Sequence, residues 1–455
     1  MKRLRILLSA HELSPSQGSE CAEGWNLVTR LAQYHDITVL YARGSQFAPN
    51  AYETAIKKFY SENTNEYNIE FIAIPQPRLT LLVAAINKRI SKTGSSIGIP
   101  FLYYFGYRQW QKEAYKTASL LLKSSSFAPG SSPGQAFRLS LFALVHHLTS
   151  INFREPGYLW KLGVPFIWGP TGGTAKLPLK FASDLGFRTQ LSENLRNLVN
   201  AIALRFKKRI TEAIKRSSLI YTFSQEDLEL FKLKGAKSVE LMLDAGCQSP
   251  NLAVLQSDSL TVSQSHRLKI LWVGQLIRRK ALDILLNAVS GDPELEERVE
   301  ITIVGNGPLR SRYQQQISRL GLTNTTITGW LSHEEVFNHM ISSDVLVHTS
   351  YREATSNVIP EALSCGLPVI CHDICGMAIA VTDQCGIKVP LESHEKSVTG
   401  FRQALRIFIA PQPATGNRQP ATLLREGALA RATELSWDNM ANRIACDYAH
   451  IANQS

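Results

Sequence analysis

The chain has no apolar run long enough to cross a bilayer. The longest, LTLLVAAI from Leu79, falls far short of the roughly 20 residues a spanning helix needs. The opening residues, MKRLRILLSAHELSPSQGSE, set basic side chains before only a short apolar stretch, and His11 and Glu12 follow at once. They read as a first strand, not a secretory leader, so the expectation is a cytoplasmic protein, at most associated with the inner face of the cell membrane. Asp-x-Asp is absent throughout, which leaves no support for the commonest carboxylate pair of a metal-assisted phosphate site. Cys-x-x-Cys is also absent. The seven cysteines are odd in number, and Cys365, Cys371, Cys375 and Cys385 gather near His372 without zinc-knuckle spacing. They read as reduced, buried residues of a strand-rich core rather than as disulfides or a zinc site. No metal and no resident cofactor is expected.

Acidic residues are scarce in one half. Residues 1–250 carry 31 Lys and Arg against 18 Asp and Glu, whereas 251–455 carry 18 against 20, so the net charge of +11 belongs to the first half. That half suits an anionic partner such as a membrane surface, a lipid phosphate or an acidic glycan, or is ordinary solvated surface. No DNA- or RNA-binding motif accompanies the charge, and no nucleic-acid partner is expected.

With 455 residues and 44% hydrophobic content, the chain can bury two cores. The stretch 345–371, VLVHTSYREATSNVIPEALSCGLPVIC, is the most informative: a buried parallel strand, a loop carrying Glu353, a helix opening near Ser356 or Asn357, a turn at Gly366 and a second strand. Ser and Asn are good N-caps, and Pro360 fits a first turn. Glu353 on the loop and Glu361 one helical turn in, with free amides at Ser356, Asn357 and Val358, suit a phosphorylated, polyhydroxylated ligand. Two acids eight apart are otherwise ordinary solvated side chains.

Strands and helices alternate along the rest of the chain, which predicts parallel sheets with ligands at strand carboxyl ends. A strand near residues 3–9 leads into a loop where Gly18 lets backbone approach a ligand. From 81 to 123, basic side chains interleave with Phe101, Tyr103, Tyr104, Phe105, Tyr107 and Trp110, consistent with an amphipathic core helix or with helices at a bilayer interface. Residues 124–135 read as a surface loop. The strand at 141–148 ends in His146 and His147, either of which reaches a crevice or is capped in the core. A helical pattern spans 193–216, and the Ser-rich 248–266 marks a domain boundary. Beyond it come a strand at 268–273, Gly274-Gln275-Leu276-Ile277-Arg278-Arg279-Lys280, the turn Gly305-Asn306-Gly307-Pro308, the segment Gly329-Trp330-Leu331, a capped helix start at Ser332 in which His333 reads as a surface residue, and an amphipathic helix at 436–451.

Together the Lys280 loop, the glycine turn at 305–307 and the 345–371 block resemble glycosyltransferase family 4, the group 1 glycosyltransferases. The resemblance implies the α/β GT-B architecture: two Rossmann-like parallel-sheet domains facing each other across a cleft. They would comprise an acceptor-side domain at 1–247, a linker at 248–266, a nucleotide-sugar-binding domain at 267–435, and a terminal helix at 436–455 returning to the first domain. It also implies a retaining, metal-independent hexosyl transfer from a UDP- or GDP-sugar to a glycan or lipid-linked acceptor, in surface or exopolysaccharide synthesis. By the family's pattern Lys280 neutralises the diphosphate, Glu361 binds ribose, Glu353 holds sugar hydroxyls and His147, with His146 as fallback, steadies the sugar. Gly18 lies over the diphosphate, Asn306 stands in the glycine turn, and Gly329, Trp330 and Leu331 read the base. The family's arginine is Gln275 here and its following glycine is Ala281; Arg278 and Arg279 are the candidates to supply the lost charge, and without either the expectation is weaker donor binding or a non-catalytic descendant. A non-catalytic nucleotide-sugar-binding protein and a nucleotide-sugar epimerase are the rival readings.

Overall fold

The computed structural model describes residues 2–63, 67–90, 99–124, 142–149, 152–248, 267–410 and 420–454. The predicted loop at 124–135 and boundary segment at 248–266 lie almost wholly outside these. The strands form two all-parallel sheets. In the first, β1 (Arg5–Ala10), β2 (Asp36–Ala42), β3 (Ile69–Ile74), β4 (Leu144–His147), β5 (Phe166–Thr171), β6 (Leu219–Thr222) and β7 (Val239–Leu241) take the order β3-β2-β1-β4-β5-β6-β7. The second comprises β8 (Leu268–Val273), β9 (Val299–Val304), β10 (Thr325–Gly329), β11 (Val345–His348), β12 (Val369–His372) and β13 (Gly386–Val389), in the order β10-β9-β8-β11-β12-β13. β4, β5, β6, β11 and β12 are buried along their whole length, as parallel strands covered on both faces must be.

Contacts gather the chain into two units. Met1–Thr174, Asn200–Asp244 and Met440–Ser455 surround the seven-stranded sheet; Ala175–Val199 and Ala245–Asn439 surround the six-stranded one. In the first unit the terminal helix Trp437–Gln454 is tied in by polar contacts: Tyr448 Oη meets His146 Nδ1 at 2.6 Å, and Tyr221 donates to Asp447 at 2.5 Å.

Two helical patterns resolve into separate helices. The predicted helix at 193–216 is two helices, Phe187–Phe206 and Lys208–Arg216, parted where Lys207 takes extended backbone angles (−86°, 92°). The stretch 81–123 is likewise two helices, Arg78–Ile90 and Pro100–Ser124. In the second, Tyr107, Trp110, Ala114 and Ala118 are buried at helical spacing, the core alternative.

The loops after β8, β9 and β10 are stitched by backbone bonds. Gly274 N donates to Val304 O (3.0 Å), Gly305 N to Gly329 O (2.8 Å) and Leu276 N to Asn306 O (2.9 Å). Gly305 sits at φ +139°, and a Cβ there would stand 1.9 Å from Gly274 O. Replacing Gly305 by Ala should therefore destabilise by about 3 kcal/mol or more. Gly321, also at positive φ but with open space around it, should lose only about 1 kcal/mol on the same change. Denaturant unfolding of the two variants checks the contrast.

Candidate active site

In the six-stranded sheet the order reverses at β8, which lies between β9 and β11, so the loops leaving β8 and β11 emerge side by side. Such a reversal opens a crevice at the strand ends. The loop from β8 runs through Gly274 into a short 3-10 turn, Arg278–Lys280, and then the helix Leu282–Ser290. The loop from β11 carries Thr349 to Thr355 into the helix Val358–Ser364. Hydroxyls and backbone clip the two together. Thr349 Oγ1 donates to Lys280 O (2.7 Å), Ser350 Oγ to Arg279 O (3.1 Å) and Tyr351 N to Arg279 O (3.2 Å). Trp272 Nε1 in turn holds Thr349 Oγ1 at 3.1 Å.

Three charges meet where the loops are clipped. Glu353 Oε1 lies 2.6 Å from Lys280 Nζ and 2.5 Å from Arg279 Nη1, and it accepts from Ser350 Oγ at 2.9 Å. Burial alone would raise the Glu353 pKa, but Lys280 and then Arg279 outweigh it and hold the carboxyl at about 2. Burial pushes the Lys280 amine down, against Glu353, which raises it. Two cations against one carboxylate leave one net positive charge. Arg279 thus stands in the cluster, while Arg278 turns away to Leu185 O (2.5 Å), and Gln275 is exposed. Ala281 takes the left-handed angles (45°, 46°) that a glycine adopts without strain.

The helix at Val358 opens differently from the expected side-chain cap. Asn357 is itself helical (−57°, −26°), with no side-chain cap bond, and Ser356 reverses the chain at φ +71°. Among the described residues no backbone acceptor pairs with the amides of Thr355, Ser356, Asn357 or Val358. Ions and hydroxyls on a ligand can therefore meet donors here. Glu361 stands apart from the charge cluster. Its Oε1 lies 3.3 Å from His333 Nε2, so His333, read as a plain surface residue, is a neighbour of this site, and Glu361 raises its pKa.

Other expected residues are placed as follows. Asn306 accepts from Gly307 N (2.8 Å) within the turn after β9; Gly329 ends β10 at φ +90°; Trp330 is 74% exposed and Leu331 half-buried. Gly18 and His147 belong to the seven-stranded unit. Gly18 begins the helix Gly18–Tyr34 at φ +65° with open space around it. His147 is buried, and burial lowers its pKa to about 4 against the Glu155 backbone, which raises it. His146 is committed to structure, between Tyr448 Oη (2.6 Å) and Gly169 O (2.7 Å), which removes it as the fallback. Thr349 and Ser350 were not singled out in sequence. Their only signal is the polar run His348-Thr349-Ser350 where the apolar strand ends.

Residues 267–406 match the family described as glycosyl transferases group 1. The chain is 32% identical over 193 residues to a D-inositol 3-phosphate glycosyltransferase of Streptomyces bingchenggensis, covering 39% of this chain and 40% of that one. It is 28% identical over 141 residues to the lipopolysaccharide glucosyltransferase WaaG of Escherichia coli, covering 30% and 37%. The matches span between a quarter and about half the length of the first curated relatives. Among solved structures, sucrose-phosphate synthase of Thermosynechococcus elongatus aligns over 100% of both chains (TM-score 0.61, 17% identity). Anabaena HepE with UDP-glucose aligns over 98% of this chain and all of the other (TM-score 0.55, 16% identity). The fold is that of the GT-B glycosyltransferases.

The depressed Glu353 pKa carries a sign. Its stabilisation is fully present above the unfolded value of 4.5 and is lost as pH falls toward about 2. The six-stranded unit should lose about 3 kcal/mol of stability across that window from this group. Glu353→Gln should remove that amount already at pH 7 and flatten the acid limb, as denaturant titrations at pH 7 and pH 3 will report.

Proposed function

We propose that this chain, which carries a group 1 glycosyl transferase domain in residues 267–406 on a GT-B fold, moves a sugar from a UDP- or GDP-sugar to a glycan or lipid-linked acceptor. Retention at the anomeric carbon, no metal and a place in surface or exopolysaccharide synthesis belong to the same reading. One observation carries it: a net positive Arg279–Lys280–Glu353 cluster at the sheet reversal, where the loop after β8 meets the loop after β11, which leads to a helix start whose amides have no backbone acceptor among the described residues.

The chemistry needs a leaving diphosphate to be stabilised as the glycosidic bond to it breaks. Lys280 and Arg279, held rigid by Glu353 and the hydroxyl clips, present fixed positive charge to it, and the amides of Ser356, Asn357 and Val358 add donors that need no rearrangement. Among the described residues the Glu353 bonds fall on Oε1, and Oε2 accepts from sugar hydroxyls. Glu361 takes the ribose hydroxyls and the exposed Trp330, beside Leu331 and the Gly329 turn, stacks on the base. Gly18 and His147 serve the donor in the family's manner. The acceptor hydroxyl attacks from the side the diphosphate leaves and passes its proton to that phosphate. HepE, a relative in fold, was solved with UDP-glucose, which supports a nucleotide sugar as donor.

Gln275 favours one rival, a protein that binds the donor without turning it over. The exposed amide gives the diphosphate no charge. Thermal-shift screening against UDP, GDP, ADP and their sugars should single out one nucleotide, with a stabilisation of about 2.7 kcal/mol at a hundredfold excess over Kd. Glu361→Ala should weaken that nucleotide roughly tenfold or more without lowering the unliganded midpoint. No nucleotide shifting the midpoint would defeat the proposal, and binding without product in the presence of cell extract would establish the rival. NMR of the product, with an inverted anomeric centre, would remove retention.

A further inference from the structure

The helix Arg78–Ile90 is built inside out. Its buried positions are Thr80, Ala84 and Asn87, four and three residues apart, so they form one inward face. Thr80 Oγ1 reaches Gly106 O at 3.4 Å, and Asn87 Oδ1 accepts from Ile99 N at 2.7 Å. The outward face holds Leu79, Leu82, Ile86 and Ile90, exposed by 52, 60, 45 and 58%. On the following helix, Pro100–Ser124, Phe101 is 78% exposed. A surface helix in water turns its aliphatic stripe inward and its polar residues out, so this reversed stripe marks an apolar partner.

Charge says which partner. Between Glu70 and Glu113 the sequence has no acidic residue and six Lys and Arg. Three of them, Arg78, Lys88 and Arg89, are exposed at the two ends of the same helix. Leu and Ile flanked by cations match an anionic phospholipid surface, where aliphatic side chains enter the acyl boundary and cations meet headgroup phosphates. A second copy of this chain is disfavoured, since a symmetric contact would press like charges together.

We propose that the outward face of Arg78–Ile90, with Phe101, seats the protein on an anionic bilayer surface. Exposure, helical spacing and charge carry this without the donor site, and it deepens the reading above by giving a lipid-linked acceptor a place to be met.

Flotation of the full chain with phosphatidylcholine vesicles, with and without phosphatidylglycerol, tests it. The protein should float only with phosphatidylglycerol present and be released by salt. The double variant Leu82→Glu/Ile86→Glu should lose roughly tenfold or more of that binding, with its thermal midpoint and nucleotide response unchanged. A second variant, Arg78→Gln/Lys88→Gln/Arg89→Gln, should lose the preference for anionic vesicles. The proposal is overturned if the native chain floats with neither vesicle, or if the Glu variant floats as well as the native chain. A concentration-dependent dimer that the Glu variant abolishes would assign the face to a second copy instead. Loss of nucleotide response with flotation intact would count against the transferase reading alone.

Discussion

Lys280 and Glu353, drawn out of water, must hold one another, with the part-exposed Arg279 beside them, and the geometry around Glu353 is arranged to let them. A buried ion pair repays its desolvation only when its remaining polar atoms are satisfied and its distances are short. Here Ser350 Oγ adds a neutral donor to the same Glu353 oxygen that meets both cations, while Thr349 and Ser350 fix the carbonyls of the residues that carry the cations. The same bonds join the loop after β8 to the loop after β11. Packed aliphatic side chains would close that junction at lower cost, so stability does not account for a charged cluster there. One net positive charge held rigid at a sheet reversal accords with the handling of an anion.

Much of this was legible in sequence because the loops are read by their spacing from strands. Lys280 and Glu353 each follow a strongly apolar strand, and the glycine at 305 announces a backbone contact that only glycine tolerates. What could not be read depends on rotation about the chain. Which of Arg278 and Arg279 faces Glu353 is set by a single 3-10 turn, and no composition argument separates two adjacent arginines. His146 and His147 alternate across a strand and must point opposite ways, yet only its partners, Tyr448 and Gly169, show that His146 is held in the structure. Asn357 was a reasonable cap by residue type, but the turn at Ser356 left its backbone already helical, so its side chain had no capping role. The kinship of His333 with Glu361 joins elements 28 residues apart and leaves no local trace.

Ala281 shows how a departure from a family's pattern can be absorbed. The position demands left-handed backbone, and alanine pays about 1 to 2 kcal/mol more there than glycine. Its buried methyl returns about 0.8 kcal/mol, and the glycine it replaces would have carried an entropic penalty of its own. The two residues come out nearly level, so the missing glycine says little about whether the loop keeps its shape. Gln275 is different in kind. No rearrangement of packing restores a charge, and Arg279, which stands beside Lys280 in the cluster, is the neighbouring cation placed to make up for it in the proposed site.

The helix Arg78–Ile90 carries three of the first half's exposed cations, Arg78, Lys88 and Arg89, beside its aliphatic stripe. Charge spread evenly over a surface acts weakly beyond a Debye length of about 8 to 10 Å, and so draws a protein toward an anionic partner without orienting it. A row of aliphatic side chains acts only in contact, but fixes an orientation when it does. Where the two coincide on one helix whose inward face is polar, long-range attraction delivers the short-range contact, and neither has to be strong by itself. Thr80 and Asn87 are the residues that make this inference possible. Had they been leucines, the exposed stripe would be the overflow of a generally apolar helix; because they are polar and bonded inward, the direction of the stripe is a property of the helix itself.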